Sequence, residues 1–337
     1  MQIHVCFATN DRYAPHAAAL VVSIMRNKCS SEEIAFYFLS DKTSSHVQDT
    51  FRKMSQQWGF TLHIIEVSDE LFKDFPLFNK SRAPYFRILM DRMLPQSLDK
   101  VLYLDCDTIV ATSLSPLWET DISGKYAAVV AEAISVSHMP VDGPYFNSGM
   151  MLLNLKKYRE ENMAEKVIQW GKTYPERIRF PDQDMFNSAF QGNVVYLPYK
   201  WNVFGTYLLD VHVQNEFVSV PNFLQELQEA EKDPGIIHFL SKPWVHDCEH
   251  VCRRLYWKQA KQTPFYNRIV FEYYKSYFFP LITDILKLPE RLLRRWIVKP
   301  LKAWFAKKTN ADKNTNTVEI ISLPSQESEE SFNRHVA

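Results

Sequence analysis

Through the first third of the chain, short and nearly unbroken apolar runs alternate with segments of helical periodicity. Ile3–Thr9 (IHVCFAT), Glu33–Ser40 (EIAFYFLS) and Thr61–Val67 (TLHIIEV) have strand length, the pattern of strands covered on both faces. Between them, Ala17–Met25 and Val47–Trp58 carry apolar residues at helical spacing. This alternation predicts an α/β fold, a parallel sheet with helices on both faces. Further along, Tyr85–Met93 reads as a helix and Lys100–Leu104 (KVLYL) as a strand running into Asp105-Cys106-Asp107. Tyr126–Ala131 and Gly149–Asn154 read as strands, Ala164–Trp170 and Asp184–Phe190 as helices, and Ile236–His238 as a strand closing the sheet.

Past about Pro264 the pattern changes. Residues 275–308 hold nine Lys and Arg against two acids, a net +7, interleaved with Tyr277, Phe278, Phe279, Trp296, Trp304 and Phe305. Basic residues alternating with large apolar ones predict amphipathic helices lying on an anionic membrane surface. The simpler alternative is a C-terminal helix packed on the core with its basic face in water. Thr309–Ala337 is polar, with net charge −3, and reads as a disordered tail. Three regions follow: 1–263 as the globular domain, 264–308 as a basic-aromatic helical appendage, and 309–337 as the tail.

Composition narrows the function classes. The 337 residues contain 39 basic and 39 acidic side chains, and this balance argues against a nucleic-acid partner. There are eight glycines, roughly a third of the usual share, and none forms a Gly-rich phosphate loop. The N-terminus MQIHVCFATN has neither a basic stretch nor a long apolar one, and no run of eighteen apolar residues occurs. The expectation is a cytoplasmic protein with reduced thiols, peripheral on the inner face of the cell membrane. Cys248 and Cys252 with His246 and His250 form a loose cluster, but no second ligand pair follows at zinc spacing, and zinc is the lesser reading.

The strongest local signal for chemistry is Asp105-Cys106-Asp107, two carboxylates at i and i+2 where an apolar strand ends. Ligands of open α/β sheets gather beyond the carboxyl ends of strands. Two acids there repel unless a cation lies between them, and a hard divalent ion such as Mn²⁺ or Mg²⁺ suits oxygen ligands. Such an ion neutralises a diphosphate without any glycine loop.

The surroundings of this pair resemble glycosyltransferase family 8, the retaining galactosyl- and glucosyltransferases of lipopolysaccharide synthesis and their relatives, glycogenin among them. The resemblance runs through KSRAPYFRILMDRMLPQSLDKVLYLDCDTIVATSLSPLWETDI (80–122), YFNSGMMLLNLKK (145–157), PDQDMFN (181–187) and IIHFLSKPW (236–244). These blocks stand in the family's order and cover about residues 1–260.

The resemblance implies a GT-A fold, an α/β architecture with a mixed, mostly parallel sheet and helices on both faces, and a site for a UDP-hexose. Ala8, Thr9, Asn10, Arg12 and Tyr13 correspond to the uridine-binding turn, with the Tyr13 ring offered to uracil. Asp105, Cys106 and Asp107 join His238 and Lys242 in the nucleotide set; Asp105, Asp107 and His238 are its implied metal ligands, and nitrogen beside carboxylate suits Mn²⁺. Lys242 contacts the diphosphate. Its connection to His238 here is only Phe239-Leu240-Ser241, two residues shorter than the common form and without its glycine. Arg87, Asn147, Ser148, Asp182 and Gln183 correspond to donor-sugar contacts, the asparagine and serine as a turn with Gly149.

Gln183, Asp184 and Lys242 are the implied catalytic residues. An amide is a poor nucleophile, so front-face attack is favoured, with Asp184 as the alternative carboxylate. Glu132 falls near a position where the family presents an acid toward the acceptor, and Tyr196 to Asp210 is expected to line the acceptor cleft. The expected activity is hexosyl transfer from a UDP-sugar to a saccharide, lipid-linked as in a lipopolysaccharide core. Transfer to a protein or another surface polymer, and UDP-sugar binding without turnover, are the alternatives.

Overall fold

In the computed structural model, residues 1–77, 81–132, 144–204, 223–248 and 250–286 are described. The described residues form ten strands: β1 Gln2–Thr9, β2 Glu33–Ser40, β3 Thr61–Glu66, β4 Lys100–Leu104, β5 Thr108–Val110, β6 Ala127–Ala131, β7 Phe146–Asn154, β8 Val195–Tyr196, β9 Val203–Phe204 and β10 Ile236–His238. The helices are α1 Ala14–Asn27, α2 Ser45–Trp58, α3 Ala83–Phe86, α4 Met90–Met93, α5 Ser115–Trp118, α6 Leu155–Glu160, α7 Met163–Thr173, α8 Pro181–Phe190, α9 Phe223–Lys232, α10 Arg253–Ala260 and α11 Tyr266–Leu286.

Seven strands make the main sheet, in the order β3-β2-β1-β4-β7-β6-β8. β1 pairs in parallel with β2 and β4, so both its edges are taken and its side chains are covered on both faces. That explains the unbroken apolar run. Phe7, Phe36, Phe38 and Phe51 pack under α1 and α2 on one face, with the Phe7 and Phe38 rings 5.3 Å apart. Tyr85, Tyr103, Tyr158, Phe186 and Phe190 fill the other. α2 begins where Ser44 Oγ accepts from Val47 N (3.4 Å) and ends at Gly59, whose φ of +70° favours glycine.

Several elements differ from the sequence expectation. β7 starts at Phe146, three residues earlier than expected, and runs antiparallel to both β4 and β6. Asn147, Ser148 and Gly149 therefore lie in a strand, not a turn. The expected helix at Tyr85–Met93 is broken into α3, a 3₁₀ turn at Arg87–Leu89, and α4. β10 does not close the main sheet; it sits between β5 and β9 in a separate three-stranded sheet. The chain leaves the main sheet after β4 and enters the small one at β5, so Asp105-Cys106-Asp107 is the crossing point. A tight turn fixes it: Thr108 N and Thr108 Oγ1 both donate to Asp105 O, at 3.1 and 2.7 Å.

Met1–Pro243 with Cys248–Ile269 forms one compact unit; among the described residues, Trp244–Asp247 and Val270–Leu286 belong to a second. In the second unit, His246 N donates to Ser276 Oγ at 3.0 Å and the His246 ring meets Tyr277 edge-on. Phe271, Tyr274, Tyr277 and Phe278 of α11 are exposed. Most of the basic stretch, 287–308, and the tail lie outside the described residues. Among the described residues no helix is long and apolar enough to cross a membrane. All five cysteines are free; Cys248 Sγ points to Ser241 O and His250 Nδ1 accepts from Cys252 N.

Candidate functional site

β10 runs antiparallel to β5 in a register that sets His238 opposite Thr108, the residue after Asp107. His238 Nε2 consequently lies 3.2 Å from Asp107 Oδ1 and 3.9 Å from Asp105 Oδ2. Among the described residues, Asp105, Asp107 and His238 are the one group of side chains converging closely enough to hold a metal ion, their ligand atoms all within 4.8 Å. Asp105 is oriented from behind. Its Oδ1 accepts from Arg87 Nη2 (2.7 Å) and Tyr103 Oη (3.1 Å), which leaves Oδ2 on the His238 side. Two carboxylates and an imidazole so arranged are a fitting donor set for a divalent cation.

Gly149 makes this convergence possible. A Cβ there would stand 2.3 Å from His238 Cε1, 2.7 Å from Asp105 Oδ2 and 3.0 Å from Asn147 Oδ1. No side chain fits, so glycine is required by close approach.

Lys242 reaches the same place despite its short connection. Its ammonium donates to Asp107 Oδ2 and, at 2.8 Å, to the Phe239 carbonyl. Burial alone would lower its pKa, but Asp107 beside it raises it above the ordinary lysine value. For Asp107 the signs reverse: burial pushes upward, and Lys242 and His238 outweigh it, holding the carboxyl well below its usual range.

Arg87 is buried and each of its three nitrogens donates a hydrogen bond. Besides Asp105, Nη1 donates to Ser148 O (2.8 Å), and the guanidinium sits 4.2 Å from the centre of the Tyr103 ring. Nε lies 3.2 Å from Asp182 Oδ2 but directs its N–H to the Pro84 carbonyl, at 3.1 Å. Asp182 Oδ2 is thus buried with a charge beside it and no hydrogen bond. Burial raises the Asp182 pKa to about 6, against the pull of Arg87.

Beyond Gly149 a polar chain crosses from β7 to the first turn of α8. Ser148 N donates to Gln183 Oε1 (3.1 Å), and since a backbone N–H only donates, the orientation of the Gln183 amide is determined. Asn147 Nδ2 donates to the same Oε1 and to Glu132 Oε1, and Gln183 Nε2 donates to Glu132 Oε1 at 3.0 Å. Burial raises the Glu132 pKa, and these bonds oppose it. Asn147 Oδ1 accepts from Gly149 N and Asn202 Nδ2.

Asp184 has a different surrounding. Its Oδ1 accepts from Tyr145 Oη (2.5 Å) and its Oδ2 from Arg179 N and Phe180 N, both 2.7 Å, so it ties down the chain entering α8.

At the start of α1, Asn10 Oδ1 accepts from Arg12 N and Tyr13 N, closing a tight turn after Ala8 and Thr9. Arg12 is exposed, 5.8 Å from the Tyr13 ring centre. Burial raises the Tyr13 phenol, and the charges of Lys242 and Asp107 act on it. Cys106 turns its thiol inward to the Ala8 carbonyl (3.1 Å), joining this turn to the acid pair.

Residues 4–248 match the family model described as Glycosyl transferase family 8. The chain belongs to that family. This family 8 protein is 24% identical over 272 residues to General stress protein A of Bacillus subtilis, covering 77% of this chain and 94% of that one. It is 24% identical over 253 residues to a lipopolysaccharide 1,2-glucosyltransferase of Escherichia coli K12, covering 72% of each. Among solved structures, the galactosyltransferase LgtC in complex with donor and acceptor sugar analogues superposes with a TM-score of 0.66 at 25% identity, over 78% of this chain and 96% of that one. The protein is a glycosyltransferase with a GT-A fold, and a divalent-metal site is available in it.

Sequence reasoning for this family 8 enzyme missed Tyr103, Tyr145 and Asn202. Tyr103 alternates with apolar neighbours in KVLYL and reads as core; only its distance of two residues from Asp105 hints at the hydrogen bond. Asn202 follows YLPYKW, in a stretch singled out for the acceptor, and its Nδ2 braces Asn147. Of that stretch, 205–210 lies outside the described residues, as does Lys80 at the start of the YxR block.

Proposed function

We propose that the protein is a retaining hexosyltransferase that moves galactose or glucose from a UDP-sugar to a lipid-linked saccharide, with Mn²⁺, or Mg²⁺ in its place, as cofactor. One observation carries the reading. Asp105, Asp107, His238 and Lys242 converge next to Gly149, and Asn147 leads from there to Gln183. A cation-binding end suited to a diphosphate thus adjoins a polar end suited to a sugar.

A divalent ion held by Asp105, Asp107 and His238 would supply Lewis-acid stabilisation to the departing UDP. Lys242 brings a second positive charge to the same leaving group. The N-terminal turn offers Tyr13 to the base and Asn10 and Arg12 to base or ribose. Arg87 holds Asp105 and Asp182 in place, and Asp182 and Ser148 flank the sugar pocket. The acceptor hydroxyl attacks the anomeric carbon from the leaving-group side; its proton passes to a phosphate oxygen as the bond from the anomeric carbon to UDP breaks. Gln183, its Oε1 pinned by Ser148 N and Asn147, aligns its dipole with the positive charge developing there. The engagement of both Asp184 oxygens favours this front-face course over an Asp184 nucleophile.

The relative named as a lipopolysaccharide 1,2-glucosyltransferase supports a lipid-linked acceptor. Residues 275–308 would dock the enzyme on the anionic inner leaflet, each Lys or Arg near that surface contributing about 1 kcal/mol. The exposed Phe271, Tyr274 and Phe278, spaced three and four apart on α11, support this. The full chain is expected to sediment with vesicles containing anionic lipid and to release them as salt rises. Equal binding to neutral phosphatidylcholine vesicles would reject electrostatic docking.

The deciding assay is UDP release by the full chain from UDP-galactose and UDP-glucose with Mn²⁺. Release is expected with one of these donors, accelerated by extracted lipid-linked oligosaccharide. Donor binding without release from any UDP-sugar would overturn the transferase reading of this site.

A further inference from the structure

The Asp107–Lys242 contact sets two cations in competition for one carboxylate. Each acid of the pair already carries a cation: the Arg87 guanidinium lies on Asp105 Oδ1 and the Lys242 ammonium on Asp107 Oδ2. The ammonium is also tethered. Phe239 N donates to the Asp107 carbonyl at 2.9 Å, clipping the turn after β10 to the backbone of the residue that Lys242 neutralises. The lysine then folds back to donate to the carbonyl of the same Phe239. The three-residue connection from His238 keeps the ammonium on the acid pair.

Resting on the metal-dependent reading above, we propose that Lys242 is a built-in substitute for the metal ion. In the nucleotide-free enzyme it occupies Asp107 and keeps affinity for a divalent cation low. A nucleoside diphosphate draws the ammonium onto its phosphates, releases the Asp107 oxygen, and thereby couples metal binding to nucleotide binding. The physical reason is charge. Without a diphosphate, an added dication meets an acid pair that already carries two cations and must displace the lysine. With one, the added negative charge accommodates both cations. Coupling of this kind is reciprocal, so the metal tightens the nucleotide by the same factor.

The test is Mn²⁺ binding to the full chain, followed by the electron paramagnetic resonance signal of free Mn²⁺, with and without UDP. Lys242→Met is expected to bind Mn²⁺ about tenfold more tightly than wild type when UDP is absent, within the range usual for coupled sites. UDP should then tighten Mn²⁺ less in the variant than in wild type. Lys242→Arg, which keeps the charge, should stay close to wild type without UDP and guards against a general loosening of the loop. If wild type binds Mn²⁺ with UDP but Lys242→Met gains nothing without it, the substitute role is overturned and the metal site stands. If wild type binds no Mn²⁺ even with UDP, the metal reading falls and takes this inference with it.

Discussion

Asp107→Asn is expected to lower UDP-hexose turnover by at least about 10²–10³-fold, the scale lost when one group that stabilises developing charge is removed, on a protein that still folds. Asparagine matches the shape of Asp107 but neutralises nothing. Lys242 loses its partner, and the set formed with Asp105 and His238 loses one of its two carboxylates. Burial works against the Asp107 charge, yet Lys242 and His238 hold its pKa well below the usual carboxylate range. A depressed folded-state pKa means that the stability drawn from this charge is fully present above the unfolded value and lost only as pH falls through the folded one. Asp107 is therefore ionised throughout the neutral range, and the variant's defect should not be rescued by raising the pH from 6 to 8.

Stability should fall together with turnover, because the charge that Lys242 and His238 favour is removed. UDP release at saturating donor, with a thermal melt of the same sample, measures both. Turnover within tenfold of wild type would remove Asp107 from the chemistry.

How far this site was legible in the sequence follows from which forces place each residue. Asp105 and Asp107 stand where an apolar strand stops, a local pattern, and they were found. The partner His238 depends on β5–β10 pairing across more than a hundred residues, and without the family resemblance it reads as a core histidine. The antiparallel course of β7 was not legible either, because an apolar run such as GMMLLN is the same in both directions. The resemblance implied a turn at Asn147 and Ser148, whereas the strand begins at Phe146, and its geometry delivers Ser148 N to Gln183 and Ser148 O to Arg87. Asp184 shows the opposite limit. The resemblance implies a catalytic role for it, while the hydrogen bonds it accepts from Tyr145, Arg179 and Phe180, which also anchor α8, come from residues outside the DQD block.

The other large effect is expected from Arg87→Met, and here the loss is in stability before activity. Arg87 is 4% exposed, and its guanidinium stands between Asp105 and Asp182. Removing one member of such a buried arrangement leaves carboxylates without compensation, at a cost of about 3–5 kcal/mol, roughly 10 °C in Tm for a domain of this size. The pH dependence separates charge from packing. Burial already lifts Asp182 to about 6 while Arg87 pulls it down. A raised carboxylate pKa means that the native state binds more protons than the unfolded one, so stability falls as pH rises through that window. Without Arg87 the window extends upward, and the deficit against wild type should be larger at pH 8 than at pH 5. Arg87→Lys, which restores charge but not the fork that spans Asp105 and Ser148, should recover part of the deficit and little of the turnover. Melts of the three proteins at the two pH values decide the matter: a deficit independent of pH would assign Arg87 to packing against Tyr103 and not to holding the two aspartates.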